Sequence, residues 1–220
     1  MRLLRLSHGS ANLVLCGGAT LNANKGINVS GDNTLTIYAE EGDEGKLVAA
    51  AGNYNAGIGG SDGNPAGTII IHGGTVNVKG GDYAAGIGGG RNNESASIET
   101  GGTLIVNGGN VTANSGDYAA GIGGGYHGNG GKVFINGGTV NVISSGNGAA
   151  IGGGSSGSGG TVTINGGTVD ASVHGSFNHF GGAGIGGGHW GNGGNVIING
   201  DNRIIGLSRM ALGNGEAALT

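Results

Sequence analysis

The feature that most constrains the fold of this chain is the sequence AGIGGG, which recurs with small variations. The copies centred on Ile122 and Ile151 lie 29 positions apart. Recurrence at a fixed period of this length is typical of repeat architectures, in which each repeat packs on its neighbours. The central isoleucines are Ile58, Ile87, Ile122, Ile151 and Ile185.

Two strand-like motifs follow AGIGGG and complete the repeat. In TVTINGG at 161–167, Val162 and Ile164 alternate with polar residues, which is typical of a half-buried strand. The next motif, GGTVDA at 166–171, contains a further short strand, and no segment has the periodicity of a helix. Three strands per 29-residue unit predict an all-β fold. We expect a single-stranded parallel β-helix, a solenoid of about seven coils stacked about 4.8 Å apart.

The aligned repeats predict which side chains stack in rows from coil to coil. We expect the TVTI strand to contribute two inward rows, and the asparagine after it to form a ladder of amide hydrogen bonds. The first row is Leu13, Leu35, Ile69, Leu104, Val133, Val162 and Val196. The second row is Leu15, Ile37, Ile71, Val106, Ile135, Ile164 and Ile198, and the ladder is Asn107, Asn136, Asn165 and Asn199.

The residues between these inward positions predict an apolar stripe on the outer face. Its members are Val14, Ile70, Ile105, Phe134 and Ile197, interrupted by Thr36 and Thr163. Exposed stripes of this kind usually mark an interface. We expect self-association with a second copy, a neighbouring domain, or the N-terminal segment with Leu3, Leu4 and Leu6 to cover it.

The composition excludes several classes of partner and site. A net charge of −4 with only 9 Lys and Arg gives no basic footprint for nucleic acid. No apolar run is long enough to span a membrane as a helix. Cys16 is the only cysteine, so the chain has neither an internal disulfide nor a CxxC metal motif. We predict no cofactor and no metal site.

We interpret residues 1–220 as a single β-helix domain that is a segment of a longer chain. No linker separates the repeats, and repeat-like sequence begins almost at the first residue. Extra residues interrupt the repeat at 39–46, 91–101 and 173–182. Insertions in solenoids form surface loops, so we interpret Arg91, in the second insertion, as part of a solvated loop.

AGIGGG followed by GGTVTINGGTV resembles the glycine-rich repeat modules of bacterial secreted and cell-surface proteins, which are often labelled carbohydrate-binding. The segment at 13–41, LVLCGGATLNANKGINVSGDNTLTIYAEE, is similar to the one that precedes AGIGGG arrays there. The resemblance covers nearly all of the chain. It implies a right-handed, pectin-lyase-like β-helix and a secreted or cell-surface location, and it carries no catalytic residues.

The glycines beside each central isoleucine have two interpretations. If the isoleucine points inward, Gly121 and Gly123 point outward and leave a bare backbone face for a flat sugar ring. Glycine in a strand often marks such a close approach by a ligand or another backbone. The alternative is that glycine only permits the tight dihedral angles of a corner.

Aromatic residues next to acidic ones flank the AGIGGG face and form the candidate binding site. Tyrosines precede the isoleucine by four residues, and aromatic or histidine pairs follow it. Rings stack on sugars, and carboxylates accept hydrogen bonds from sugar hydroxyls. The alternative is a ladder of tyrosines that pack on one another. The candidate ligand-binding residues are Tyr54, Tyr83, Tyr118, Asp82, Asp117, Tyr126, His189 and Trp190.

These patterns favour a non-enzymatic, extracellular β-solenoid module that binds a polysaccharide or other glycan, or adheres to a surface. The alternatives are a polysaccharide lyase or hydrolase of the same fold, and a purely structural spacer. Such lyases generally gather acidic calcium ligands and a Lys or Arg base in one groove. Here the 9 basic and 13 acidic residues are spread along the chain.

Overall fold

A computed structural model describes residues 4–40, 45–93, 98–174, 181–200, 202–205 and 217–219. Within these ranges the chain forms short strands joined by turns and no helix. The described part of the chain therefore offers no helix that could cross a membrane. The central residues of the three predicted insertions lie outside the described ranges.

The strands are two to six residues long. In the first half of the chain they are β1 (Leu4–Arg5), β2 (Ser10–Leu15), β3 (Thr20–Ala23), β4 (Ile27–Asn28), β5 (Thr34–Ala39), β6 (Lys46–Ala50), β7 (Ile58–Gly59), β8 (Thr68–Ile71), β9 (Thr75–Lys79), β10 (Ile87–Gly88), β11 (Ile98–Glu99) and β12 (Thr103–Val106). In the second half they are β13 (Asn110–Asn114), β14 (Ile122–Gly123), β15 (Gly128–Asn129), β16 (Lys132–Ile135), β17 (Thr139–Ser144), β18 (Ile151–Gly152), β19 (Thr161–Ile164), β20 (Thr168–Val173), β21 (Ile185–Gly186), β22 (Asn195–Ile198), β23 (Arg203–Ile205) and β24 (Ala217–Leu219).

Three long parallel sheets run the length of the described structure. Sheet A joins β1-β4-β7-β10-β14-β18-β21, sheet B joins β2-β5-β8-β12-β16-β19-β22-β24, and sheet C joins β3-β6-β9-β13-β17-β20-β23. Each coil contributes one strand to each sheet, and β11 pairs with β15 in a small fourth sheet. The predicted parallel β-helix of about seven coils is confirmed.

The AGIGGG isoleucines form one inward row in sheet A, as predicted. Ile87 pairs with Ile58 on one side and with Ile122 on the other, and the row continues through Ile151 to Ile185. All five side chains are fully buried. Burying a side chain of this size contributes about 1.5–3 kcal/mol before the entropy of ordering it. The row therefore fixes the register of the coils.

The first coil departs from the predicted register by two residues. Leu13 pairs with Ile37, where we expected Leu35, and Ala11 pairs with Leu35. Leu15 pairs with Ala39 instead of Ile37. A shift of two residues keeps every side chain on its own face of the strand, so the alternation of inward and outward residues cannot distinguish the two registers. From the second coil onward the predicted rows are confirmed.

The predicted asparagine ladder is present at the edge of sheet B. Asn136 donates from Nδ2 to Oδ1 of Asn107 at 2.8 Å, and the same bond joins Asn165 to Asn136 and Asn199 to Asn165. The bonded amide atoms lie at the exposed surface. His72 occupies the rung before Asn107, and the ring of Tyr38 stacks on it at 4.8 Å.

The outward stripe on sheet B differs from the predicted one at its N-terminal end. Ile70, Ile105, Phe134 and Thr163 pair in one row. Val14 pairs with Tyr38 and so belongs to the row of the asparagine ladder. Strand β1 with Leu4 does not cover the stripe as we had allowed, because it pairs with β4 in sheet A, and Leu3 lies outside the described ranges.

Candidate functional site

The AGIGGG glycines form no open face for a ligand. Gly121, Gly123 and their equivalents in the other coils are buried. A Cβ atom on Gly121 would overlap Cγ1 of Val142, and one on Gly123 would overlap the carbonyl oxygen of Gly152 in the next coil. The interpretation of a bare backbone face for a sugar is therefore wrong. At Gly123 glycine is needed because the neighbouring backbones approach each other closely, whereas the position of Gly121 is occupied by a buried alanine, Ala150, in the next coil.

Four tyrosines from three successive coils meet beside this strand, and we call them the tyrosine cluster. The rings of Tyr83 and Tyr118 stack at 5.0 Å with an interplanar angle of 6°. Tyr54 lies 5.6 Å from Tyr83 in a tilted arrangement. Tyr126 places its ring against Tyr83 and Tyr118 at 5.6 and 5.7 Å, nearly perpendicular to both. The rings thus pack on one another, as the alternative interpretation expected.

Backbone hydrogen bonds set the positions of these rings. The N–H of Tyr118 donates to the carbonyl of Asp82, and that of Tyr83 to Asn53, so the tyrosines repeat at the spacing of the coils. The N–H of Tyr126 donates to the carbonyl of Tyr83 at 2.9 Å. This last bond joins the turn that follows β14 to the turn that precedes β10 in the previous coil. Two rows of side chains therefore lie next to each other at this corner.

Arg91 belongs to the same corner, which the sequence interpretation as a solvated loop missed. Its guanidinium lies 3.9 Å from the centre of the Tyr54 ring. Its Nε and Nη2 donate to the two carboxylate oxygens of Asp62 at 2.9 and 3.1 Å. The hydrogen bond to Asp62 raises the pKa of Arg91 above its already high ordinary value, so the side chain stays a cation. The sequence contained a signal that Arg91 lies at this corner, because Arg91 occupies the same repeat position as Tyr126.

The two predicted carboxylates lie beside the tyrosine cluster and are open to solvent. Asp82 and Asp117 occupy the same position in adjacent coils, and both are exposed. Neither carboxylate has a hydrogen-bond or ion-pair partner within the described ranges. The described residues also contain no group of three or more His, Cys, Asp and Glu that could hold a metal ion. The two carboxylates are thus free to accept hydrogen bonds from a ligand.

His189 and Trp190 lie two coils beyond Tyr126 along the same rows. Their rings contact each other at 4.5 Å. The Trp190 side chain is 81% exposed, and its backbone has a positive φ of 67°. His127 and Ser156 have the same left-handed conformation at this position, with φ of 59° and 65°. The coil geometry therefore imposes a conformation that L-residues other than glycine rarely adopt.

A hollow with a volume of about 460 Å³ lies at the N-terminal end of the corner. It lies between the turn 24–26 and the turn 51–57 of the next coil, which is four residues longer. Sequence reasoning missed it, because it depends on the difference in length between two turns. Its lining residues are Asn24, Lys25, Ala50, Ala51, Gly52 and Asn55.

Comparison with protein families matches three segments of the chain, 69–91, 104–126 and 162–189, to the Beta helix repeat family. Each segment runs from an inward residue of sheet B to the residue that follows the glycine triplet. These three segments are similar to β-helix repeats, in agreement with the parallel coils of the structure. Comparisons with curated proteins and with solved structures found no match. The matched repeats include the strands that carry the corner, while the binding role of its residues stays a prediction.

Proposed function

We propose that this β-helix repeat protein is a non-enzymatic module that binds a glycan along the corner formed by the tyrosine cluster and Trp190. The observation that carries the proposal is the 81% exposure of Trp190 in a left-handed backbone conformation. Leaving a large apolar ring in water forgoes the stabilisation that burial would bring. An exposed tryptophan ring is typical of an interaction surface.

Trp190 offers a far more open ring than the tyrosines, since Tyr54 is 39% exposed and Tyr83 and Tyr118 are half-buried. Stacking among Tyr54, Tyr83 and Tyr118 occupies the faces of those rings, whose hydroxyl groups remain available as hydrogen-bond donors and acceptors. Asp82 and Asp117 add two exposed carboxylates beside them. A sugar ring would stack on Trp190, and further sugars would bond to the tyrosine hydroxyls and the carboxylates.

The ligand that fits this arrangement is a polymer. The coils that carry Tyr54 and Trp190 are four coil spacings apart, or roughly 19 Å at 4.8 Å each. A monosaccharide reaches only one end of the corner, whereas a polysaccharide contacts several coils and gains affinity from simultaneous binding. The secreted or cell-surface location that we propose rests on the sequence resemblance described above.

Binding to a panel of polysaccharides tests this function, with Trp190→Ala as the diagnostic variant. Ring stacking contributes about 0.5–1.5 kcal/mol beyond area burial, so we expect up to about a tenfold loss of affinity. Tyr38→Ala is the matched control. It removes an exposed ring from the edge of sheet B, away from the corner, and should bind like the wild type.

The outcomes separate the three functions that the fold allows. Binding without release of new sugar ends supports the proposal. Release of reducing or unsaturated ends from a bound polymer would identify a hydrolase or lyase instead. No affinity for any polymer would favour a structural spacer, and full affinity of Trp190→Ala would move the site to another surface.

A further inference from the structure

The sequence Gly-Asn-Gly-Gly occurs twice at the same repeat position, at 128–131 and 191–194. Both copies follow an AGIGGG strand and begin with the same turn. The N–H of Gly128 donates to the carbonyl of Gly125 at 2.8 Å, and that of Gly191 donates to Gly188 at 2.8 Å. Local sequence and local turn are therefore the same, and only the neighbouring coils differ.

In the first copy the next coil holds both chemical groups of the Asn-Gly pair. Oδ1 of Asn129 accepts a hydrogen bond from the N–H of Ser158 at 2.8 Å. The N–H of Gly130 donates to the carbonyl of the same serine at 2.8 Å. The Asn129 side chain is also half-buried. Neither its carboxamide nor the following backbone nitrogen can move without breaking a hydrogen bond.

In the second copy neither group has a hydrogen-bond partner within the described ranges, and Gly193 is buried while Asn192 is exposed. Asn192 is exposed, and its carboxamide has no hydrogen-bond partner in the described part of the chain. The N–H of Gly193 likewise has none there, whereas the equivalent N–H groups of Gly130 and Gly159 each donate to the next coil. Ser158 lies in the coil after Asn129 and bonds to it. No described residue takes the same place in the coil after Asn192.

In an Asn-Gly pair without these hydrogen bonds, the glycine nitrogen can react with the asparagine side chain. The Gly193 nitrogen, after losing its proton to water or hydroxide, forms a bond to Cγ of Asn192. The Nδ2 group takes a proton from water, and the Cγ–Nδ2 bond breaks as ammonia leaves. Water then opens the resulting succinimide ring and leaves aspartate or isoaspartate. The reaction consumes one water and needs no other reactant. Glycine as the second residue lacks a Cβ atom that would hinder the attack.

From this contrast we propose that Asn192 is a site of spontaneous deamidation and that the fold protects Asn129 from the same reaction. The product places a new carboxylate two residues after Trp190. The reaction thus places a negative charge close to Trp190, the most exposed aromatic residue described at the corner. The inference depends on the hydrogen bonds alone and not on glycan binding.

The test measures deamidation at the two sites by peptide mapping and mass spectrometry after incubation of the full chain at mildly alkaline pH. Asn129 can react only after two hydrogen bonds have broken, so we expect it to deamidate roughly tenfold or more slowly than Asn192. In guanidinium chloride, where the fold is lost, the identical tetrapeptides should react at similar rates. Asn192→Ser, which copies the residue at Ser158, should remove the faster signal from the native protein.

Similar rates at the two sites in the native protein, or faster reaction at Asn129, would overturn the proposal. A native difference that persists unchanged in denaturant would overturn it as well. Such a result would assign the difference to flanking sequence and not to the fold.

Discussion

Gly123 illustrates how closely the coils approach each other. Its φ is +128°, a conformation that is essentially restricted to glycine, and it pairs with Gly152 of the next coil. A Cβ atom there would overlap the carbonyl oxygen of Gly152, which accepts the N–H of Gly124 at 2.9 Å. Any side chain at this position must therefore distort the backbone or separate the coils.

We expect Gly123→Ala to reduce the free energy of unfolding by at least about 2 kcal/mol, because backbone strain alone costs about 1–3 kcal/mol. Gly52→Ala is the control, since Gly52 is exposed and a Cβ atom there meets nothing within 4 Å. Chemical unfolding of both variants measures the difference. Equal stability of the two would contradict the close approach of the coils.

The asparagine ladder stabilises the edge of sheet B through a row of identical bonds. Asn136 both donates to Asn107 and accepts from Asn165, each at 2.8 Å. Because these amides are exposed, water replaces part of each lost bond, and the cost of removal is lower than for a buried ladder.

Asn136→Ala should therefore lower the free energy of unfolding by about 1 kcal/mol. Asn141→Ala serves as the control, because Asn141 is exposed on sheet C and its amide has no partner within the described ranges. Its effect should stay within about 0.5 kcal/mol. The prediction fails if thermal melts of the two variants coincide.

The rows of the fold were predictable because the repeat itself carries the alignment. Ile122 and Ile151 share a position in the 29-residue unit, so stacking one coil on the next brings them together. The register of Leu13 was not predictable, since the first coil has a different length and a two-residue shift preserves the hydrophobic pattern. Periodicity fixes which face a residue takes, but the number of residues in a turn decides its partner.

The positions of the tyrosines in the candidate site were predictable, whereas their contacts and the place of Arg91 were not. The repeat position of Tyr83 and Tyr118 indicated that they lie on adjacent coils. Their stacking depends on side-chain torsions that no periodicity specifies. The exposure of Asn192 depends on which residues lie above it in space. Such features require coordinates, because they arise between coils and not within one repeat.

The outer face of sheet B is the surface that a second copy of the molecule could cover. Its central row holds Ile70, Ile105 and Phe134, and Lys132 carries the one formal charge among the outward strand residues described there. Two copies would therefore meet with little electrostatic repulsion, and depletion of charge is typical of interface cores. The chain's own N-terminal strand is paired elsewhere, in sheet A.

We expect self-association at high protein concentration that Phe134→Asp abolishes, because a buried unpaired carboxylate at the centre of an interface is costly. Thr112→Asp, on the outer face of sheet C, is the control and should associate like the wild type. Sedimentation velocity measures both variants. A wild-type protein that stays monomeric at every concentration would refute the interface.

The buried AGIGGG strand also limits how this molecule can diversify over evolutionary time. A mutation that adds a side chain at Gly123 meets the carbonyl oxygen of Gly152 in the next coil, so selection for a folded chain removes it. Extra residues at 91–101 and 173–182 leave the pairing of the flanking strands intact. Heritable change is therefore concentrated in the corners and their inserted loops. In descendants of this chain, the invariant strand and the variable corners should lie only a few residues apart.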